Sequence, residues 1–261
     1  MGAAPKRNSP KISAGNKTRA DQRLVDLGLA PSKSRAQALI MAGVVYVGER
    51  RIDKSGDSIR DADALEVRGA DHAYVSRGGV KLAGALDQFC IDPAGKIAID
   101  VGASTGGFTD VLLQRGAKKV YAVDVGYGQL HDRIRNDARV VVLERTNARS
   151  LTLHTLGLQA PTIDLAVVDA SFIGLEKLLP GIVAVLRPAG ELVALVKPQF
   201  QLRREDVGKG GIVRDDTLRM RASSEVAVAA TELGFQVLGE NDCVLPGPGG
   251  NRERFLWARK G

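Results

Sequence analysis

Apolar and polar positions divide the chain into two regions of different grain. From residue 97 onward, short apolar runs recur at 97–101, 119–124, 140–143, 164–169 and 191–196. Unbroken runs of this length mark parallel strands buried on both faces. Helical patterns fill the gaps, at 108–114, after the turn 126–131, at 175–186 and at 217–233. Strands alternating with helices predict a doubly wound, Rossmann-like α/β sheet. The runs 235–238, 242–245 and 254–257 predict closing strands, and the Gly-rich stretch 202–215 predicts a flexible loop.

The earlier region reads as a small α+β unit. Leu24, Val25, Leu27 and Leu29 form an apolar patch. Pro31-Ser32 opens a second helix with Ser32 as its cap. Ala36, Leu39, Ile40 and Met41 give that helix its buried face, and Gly43 ends it. Strands 44–47 and 64–67 follow. A loop at 76–79 then enters a helix running to about residue 89. The chain is read as a disordered basic tail (1–18), the α+β unit (19–70), a connector (71–75) and the sheet domain (76–261).

The stretch Asp100-Val-Gly102-Ala-Ser104-Thr105-Gly106-Gly107-Phe108 is the strand, Gly-rich turn and helix that opens a nucleotide-type site at the carboxyl ends of strands. Glycines there let a ligand approach the backbone. Asp124 ends the next strand, at the spacing of roughly 20 residues expected for a ribose-binding acid. Ser104 stands where a dinucleotide motif needs its second glycine, and Asp100 ends the first strand. That pattern suits S-adenosylmethionine, which is cationic at its amino group and sulfonium and carries no phosphate. Asn147 follows the third strand, where a doubly wound fold places groups near the adenine. Asp169 ends strand four at the mouth of the crevice. Lys197 follows the buried fifth strand and is fixed by Pro198; charges so placed gather at active sites.

Composition narrows the partners. The 261 residues carry a net charge of +7 and a pI near 9.5, which favours an anionic macromolecule. Residues 1–20 hold five basic side chains and no acid, whereas residues 21–75 hold eight Lys/Arg against nine Asp/Glu. Any RNA surface on the α+β unit must therefore be one-sided. No run approaches the roughly 18 apolar residues of a membrane span, and no apolar secretory segment opens the chain. Two distant cysteines, Cys90 and Cys243, fit a reduced cytoplasmic protein. The three histidines lack metal-ligand spacing, so no metal is assigned. Oligomeric state stays open.

Two resemblances follow. Arg23-Leu24-Val25 together with Ser34-Arg-Ala-Gln-Ala-Leu-Ile-Met-Ala-Gly-Val-Val-Tyr-Val-Gly48 resembles the S4-type RNA-binding domain. The resemblance implies that its second helix and hairpin touch RNA, with Lys33, Arg35 and Arg50 as phosphate contacts, joined by Arg19 and Arg77. Ser76-Arg-Gly-Gly-Val-Lys81, the 100–110 motif, Asp124-Val-Gly-Tyr-Gly-Gln-Leu130 and Val196-Lys-Pro-Gln-Phe200 resemble the TlyA, or haemolysin A, family of FtsJ-type methyltransferases. Gln201 and Arg254 depart from that family's usual Glu and apolar residue. The resemblance implies 2′-O-methylation of ribose, on cytidine of ribosomal RNA, by a tetrad at Lys81, Asp169, Lys197 and Glu253.

The residue types suit that chemistry. A ribose hydroxyl is a very weak acid, so Lys197 is read as the base that removes its proton, burial and neighbouring cations favouring its neutral form. Asp169 orients Lys197 and the methyl group, and Lys81 and Glu253 position the ribose. The rival readings are a non-catalytic RNA-binding or ribosome-assembly factor, a membrane-active cytolysin and a base methyltransferase. A base methyltransferase would ordinarily want a Cys nucleophile or a Pro-Pro-aromatic motif after strand four, where this chain has Asp169-Ala-Ser-Phe172.

Overall fold

The computed structural model describes residues 17–68, 73–247 and 250–261. Most of the expected basic tail, and residues 69–72 at the expected domain end and connector, lie outside the described residues.

The N-terminal unit opens with β1 (Lys17–Arg19) and α1 (Ala20–Asp26). After α2 (Lys33–Ala42) come β2 (Val45–Val47), β3 (Arg50–Arg51), β4 (Ser58–Arg60) and β5 (Leu65–Val67). β1 pairs with β4, while β3, β2 and β5 form a second small sheet. Ser32 caps α2 as expected, its hydroxyl accepting from the Arg35 amide at 3.2 Å, and Gly43 ends it with φ of 74°. α1 stops at Asp26, which leaves Leu27 and Leu29 in an exposed turn.

The expected buried face of α2 needs correction. Ala36 and Ile40 enter the core with Leu24, Val45, Ile52 and Ile59, but Met41 is exposed, and Ala38 and Ala42 are buried instead. At 100° per residue, Ala38 and Ala42 lie about 200° around the helix from Ala36 and Ile40. Small side chains on that second face let α2 approach the C-terminal unit, where Ala38 and Ala42 line a cleft with Tyr74, Val75 and Thr105.

The C-terminal unit runs α3 (Arg77–Gln88), β6 (Ile97–Val101), α4 (Gly107–Gln114), β7 (Lys119–Val123), α5 (Asp132–Arg135) and β8 (Val140–Leu143). It continues with β9 (Ile163–Val168), α6 (Leu179–Val185), β10 (Leu186–Val196), α7 (Pro198–Gln201), α8 (Asp216–Glu232), β11 (Phe235–Asp242) and β12 (Arg254–Lys260). The seven strands form one sheet in the order β11-β12-β10-β9-β6-β7-β8, parallel from β10 to β8, with β12 inserted antiparallel. This is the α/β Rossmann-like sheet expected. Alternate strand residues feed two cores. Ile99, Val123 and Val168 pack with Leu179, Ile182 and Val226 on one face. Ala98, Val120 and Leu165 pack with Leu82, Leu86 and Leu112 on the other. Strand direction of crossover reverses between β6 and β9, the place where such sheets open a crevice.

Three expected elements differ. The 175–186 helix is a 3₁₀ turn, Leu175–Lys177, followed by α6. Run 235–238 opens a longer strand, β11, which shifts register between Val237 and Gly239 and ends at Asp242, so the expected strand 242–245 does not form. The loop 202–215 is anchored: Leu202 and Val213 are buried against Ala222, and Gly208 bridges to Ile212.

Candidate active site at the carboxyl ends of the sheet

Asp100 ends β6 fully buried. Its Oδ2 accepts from the Thr109 amide at 2.9 Å and the Thr109 hydroxyl at 2.7 Å, while buried Oδ1 has no hydrogen-bond partner. Burial, with the charges of Asp169 and Asp124 adding to it against the Thr109 bonds, pushes its carboxyl up to about 7. Asp124, at the end of β7, accepts from the Ser104 amide at 2.7 Å and the Gly126 amide at 2.6 Å. Thr146 donates its amide to the Asp124 carbonyl, which brings neighbouring Asn147 to this end of the sheet. Asn147 itself is exposed and caps a 3₁₀ turn through Arg149.

The turn between β6 and α4 is tighter than a ligand cradle alone requires. What its glycines make room for first is protein. Gly102 has φ of 87°, and a Cβ there would stand 2.6 Å from the Asp169 carbonyl oxygen. A Cβ at Gly106 would meet Leu130 at 2.9 Å, and one at Gly107 would clash with the Ser76 hydroxyl. Ser104 takes φ of 48° without being glycine. Thr105 is buried, and its carbonyl accepts from the His131 amide at 3.1 Å. Phe108 points into the core against Phe255, ring centres 6.1 Å apart, so it packs the base of the site. Three carboxylates at adjacent strand ends, one with an unused buried oxygen, fit a cationic ligand such as the sulfonium of S-adenosylmethionine.

The four tetrad positions come from far-apart stretches and converge here. Lys81 lies in the second turn of α3, which buries it; its Nζ is 2.5 Å from Glu253 Oε2. Lys197 leaves the end of β10 and stands 2.6 Å from Asp169 Oδ1. Each carboxylate also feels the other pair's lysine. Burial works to lower the Lys81 pKa, but the charges of Glu253 and Asp169 and the bond to Glu253 outweigh it and hold it above the usual lysine value. Burial likewise opposes ionisation of Asp169, yet Lys197 and Lys81 hold its carboxyl below the usual range. For Glu253 burial wins over both lysines, and its carboxyl sits above the usual range. Glu253 is 2% exposed, and its Oε1 has no hydrogen-bond partner.

Residue-by-residue reading passed over two neighbours of this cluster. The Ser171 hydroxyl accepts from Lys197 Nζ at 2.8 Å. Phe172 is 91% exposed at φ of 65°, and its ring lies 5.2 Å from Phe200. A bulky residue in the left-handed region is a genuine outlier, of the kind that gathers at functional sites. The signal was an apolar side chain directly behind Asp169, in a stretch with no apolar periodicity to bury it.

The expected RNA contacts are spread more widely. Lys33 and Arg50 are exposed on the N-terminal unit. Arg19 forks onto Asp21, at 3.0 and 2.8 Å. Arg35 lines the cleft between the two units with Arg133 and His131. Arg77 is half-buried against Gly43; burial, then the Arg51 charge, lowers its pKa. Among the described residues no group of three or more His, Cys, Asp and Glu could hold a metal ion, and no helix is long and apolar enough to cross a membrane.

Comparison with known proteins bears on the family and the fold. Residues 74–260 match the FtsJ-like methyltransferase family, and residues 18–65 match the S4 domain. A 16S/23S rRNA (cytidine-2′-O)-methyltransferase TlyA of Mycobacterium tuberculosis is 49% identical, over 93% of this chain and 90% of its own. A hemolysin-named protein of Streptococcus thermophilus superposes with a TM-score of 0.72 at 40% identity, covering 94% of this chain and 88% of its own. A Mesorhizobium loti S-adenosylmethionine-dependent methyltransferase, 14% identical, shares the sheet with a TM-score of 0.50 over 68% of this chain and 96% of its own.

Proposed function

This chain belongs to the FtsJ-like methyltransferase family, in its TlyA or haemolysin A group, and on that premise we propose that it methylates a ribose 2′-hydroxyl of ribosomal RNA, on cytidine, in the cytoplasm. The observation that carries the reading is the convergence of Lys81–Glu253 and Lys197–Asp169 beside the β6–α4 turn. Bound S-adenosylmethionine supplies an electrophilic methyl group on a sulfonium, whose carbon–sulfur pair leaves with sulfur. Asp100 and Asp124 would hold the cationic and ribose ends of that cofactor.

Lys197 accepts the 2′-hydroxyl proton at Nζ, having first released to solvent the proton of its ion pair with Asp169. Asp169 and Ser171 fix the direction of that Nζ, and Asp169 then stabilises the ammonium produced. Lys81 and Glu253, locked together, would hold the ribose with its 2′-hydroxyl toward Lys197. The N-terminal unit, with Lys33, Arg35 and Arg50, grips the RNA backbone. An assembly factor without activity has no use for four buried or half-buried ionisable groups in this arrangement, each costly to desolvate.

Purified protein with radiolabelled S-adenosylmethionine and isolated ribosomal subunits tests the proposal. Label is expected in RNA as a 2′-O-methyl nucleotide. Lys197→Ala should lower turnover roughly 100- to 10,000-fold, the usual worth of a general base, while cofactor affinity stays. Activity surviving in that variant removes Lys197 from its role.

A further inference from the structure

We propose that a basic cleft lined by Arg214, Arg219 and Arg252, the last directly preceding Glu253 of the tetrad in the chain, holds a backbone phosphate of the RNA strand being methylated. The inference deepens the proposed function and rests on that reading. The cleft has a volume of about 530 Å³ and is lined by these three arginines, Asp216, Ile212, Val213 and Gly250. Three guanidinium groups against one carboxylate leave it positive. Arg219 is held by Asp216. Arg214 and Arg252 are exposed, and among the described residues neither is engaged in an ion pair.

A bridge fixes how the two unpaired arginines stand. The Val213 amide donates to Asn251 Oδ1 at 2.9 Å, and Asn251 Nδ2 donates to the Gly211 carbonyl at 2.8 Å. Asn251 is buried. Arg214 follows Val213 and Arg252 follows Asn251, so the bridge carries one arginine on each side of itself. The next residue after Arg252 is Glu253 of the tetrad, one Cα step of about 3.8 Å away. The cleft also takes in the N-terminus of α8, whose 17 residues add their dipole to the positive potential there. Guanidinium groups at a rim one residue from the ribose-holding carboxylate fit a phosphodiester, which they bind through paired N–H donors. A second set of phosphate contacts here, distant in sequence from the N-terminal unit, gives the strand a second hold.

Filter binding of purified small- and large-subunit ribosomal RNA across a salt series tests this, with S-adenosylmethionine affinity measured on every variant as a check of folding. Arg214→Ala with Arg252→Ala should weaken RNA binding roughly tenfold or more and flatten the slope of log K against log salt by about 0.7 to 0.9, one phosphate contact. Arg214→Lys with Arg252→Lys should restore the slope. Arg214→Gln alone, remote from Glu253, should give part of the loss if the paired variant folds poorly. An unchanged slope in the alanine variant overturns the subsite, as does weakened binding at an unchanged slope, which is a structural effect. Wild-type protein that binds RNA but transfers no methyl group defeats the proposed function and leaves the slope to decide the subsite. Wild-type protein that binds neither RNA defeats both.

Discussion

At the residue scale, Asp100 concentrates the electrostatics of the site. Its carboxyl is buried, receives two bonds from Thr109 on one oxygen and none on the other, and ionises only near pH 7. An unfolded aspartate ionises near pH 4. The folded state therefore binds the extra proton between those values and is stabilised at the acidic end. That stabilisation is lost as pH rises toward 7, and the cost stays constant above it. Asp100→Asn keeps the Thr109 bonds and removes the titration. In urea melts from pH 4 to 8, the stability of Asp100→Asn relative to wild type should climb with pH by on the order of a few kcal/mol and level off above 7. A difference that does not change with pH would mean that Asp100 ionises normally. Wild-type protein should recover that difference when S-adenosylmethionine is present, because the cofactor's positive charge favours the ionised carboxylate.

At the element scale, the loop between α7 and α8 shows why some structure was legible in the sequence and some was not. β6, β7 and β9 could be read because burial on both faces leaves an unbroken apolar run, whereas the tetrad positions came from the family resemblance, whose motifs hold Lys81 and Lys197 but neither Asp169 nor Glu253. The loop could not, since its order comes from Asn251, 38 and 40 residues from the groups it holds. Nothing local in Gly208-Lys-Gly-Gly211 announces a partner so distant. The two faces of α2 escaped for another reason: alanines bury against a neighbouring unit without leaving the apolar stripe that periodicity detects. Asn251→Ala removes both loop bonds, each worth about 1 kcal/mol. Trypsin should then cut at Lys209 and Arg214 roughly tenfold faster or more, with far-ultraviolet circular dichroism unchanged. Unaltered cutting would show that burial of Leu202 and Val213 holds the loop unaided.

At the scale of the whole molecule, α2 joins the two halves of the proposed reaction. Its Ser34 hydroxyl donates to the Tyr127 carbonyl at 3.0 Å, and Met41 touches the Ser104 hydroxyl. Ser104 in turn donates its amide to Asp124, the expected ribose acid. The helix whose outer residues are proposed to meet RNA thus lies on the turn proposed to hold the cofactor. Ligands bound to the two sides of one packed helix share its positional freedom, and the coupling between them must be equal in both directions. RNA should change the affinity for S-adenosylhomocysteine by some factor, and S-adenosylhomocysteine should change the affinity for RNA by that same factor, with both dissociation constants read by titration at one salt concentration. Ser34→Ala with Met41→Ala removes the two contacts and should bring the factor toward one, while each ligand still binds alone. A factor that survives in this variant would route the coupling through other contacts between the two units, such as Arg77 against Gly43.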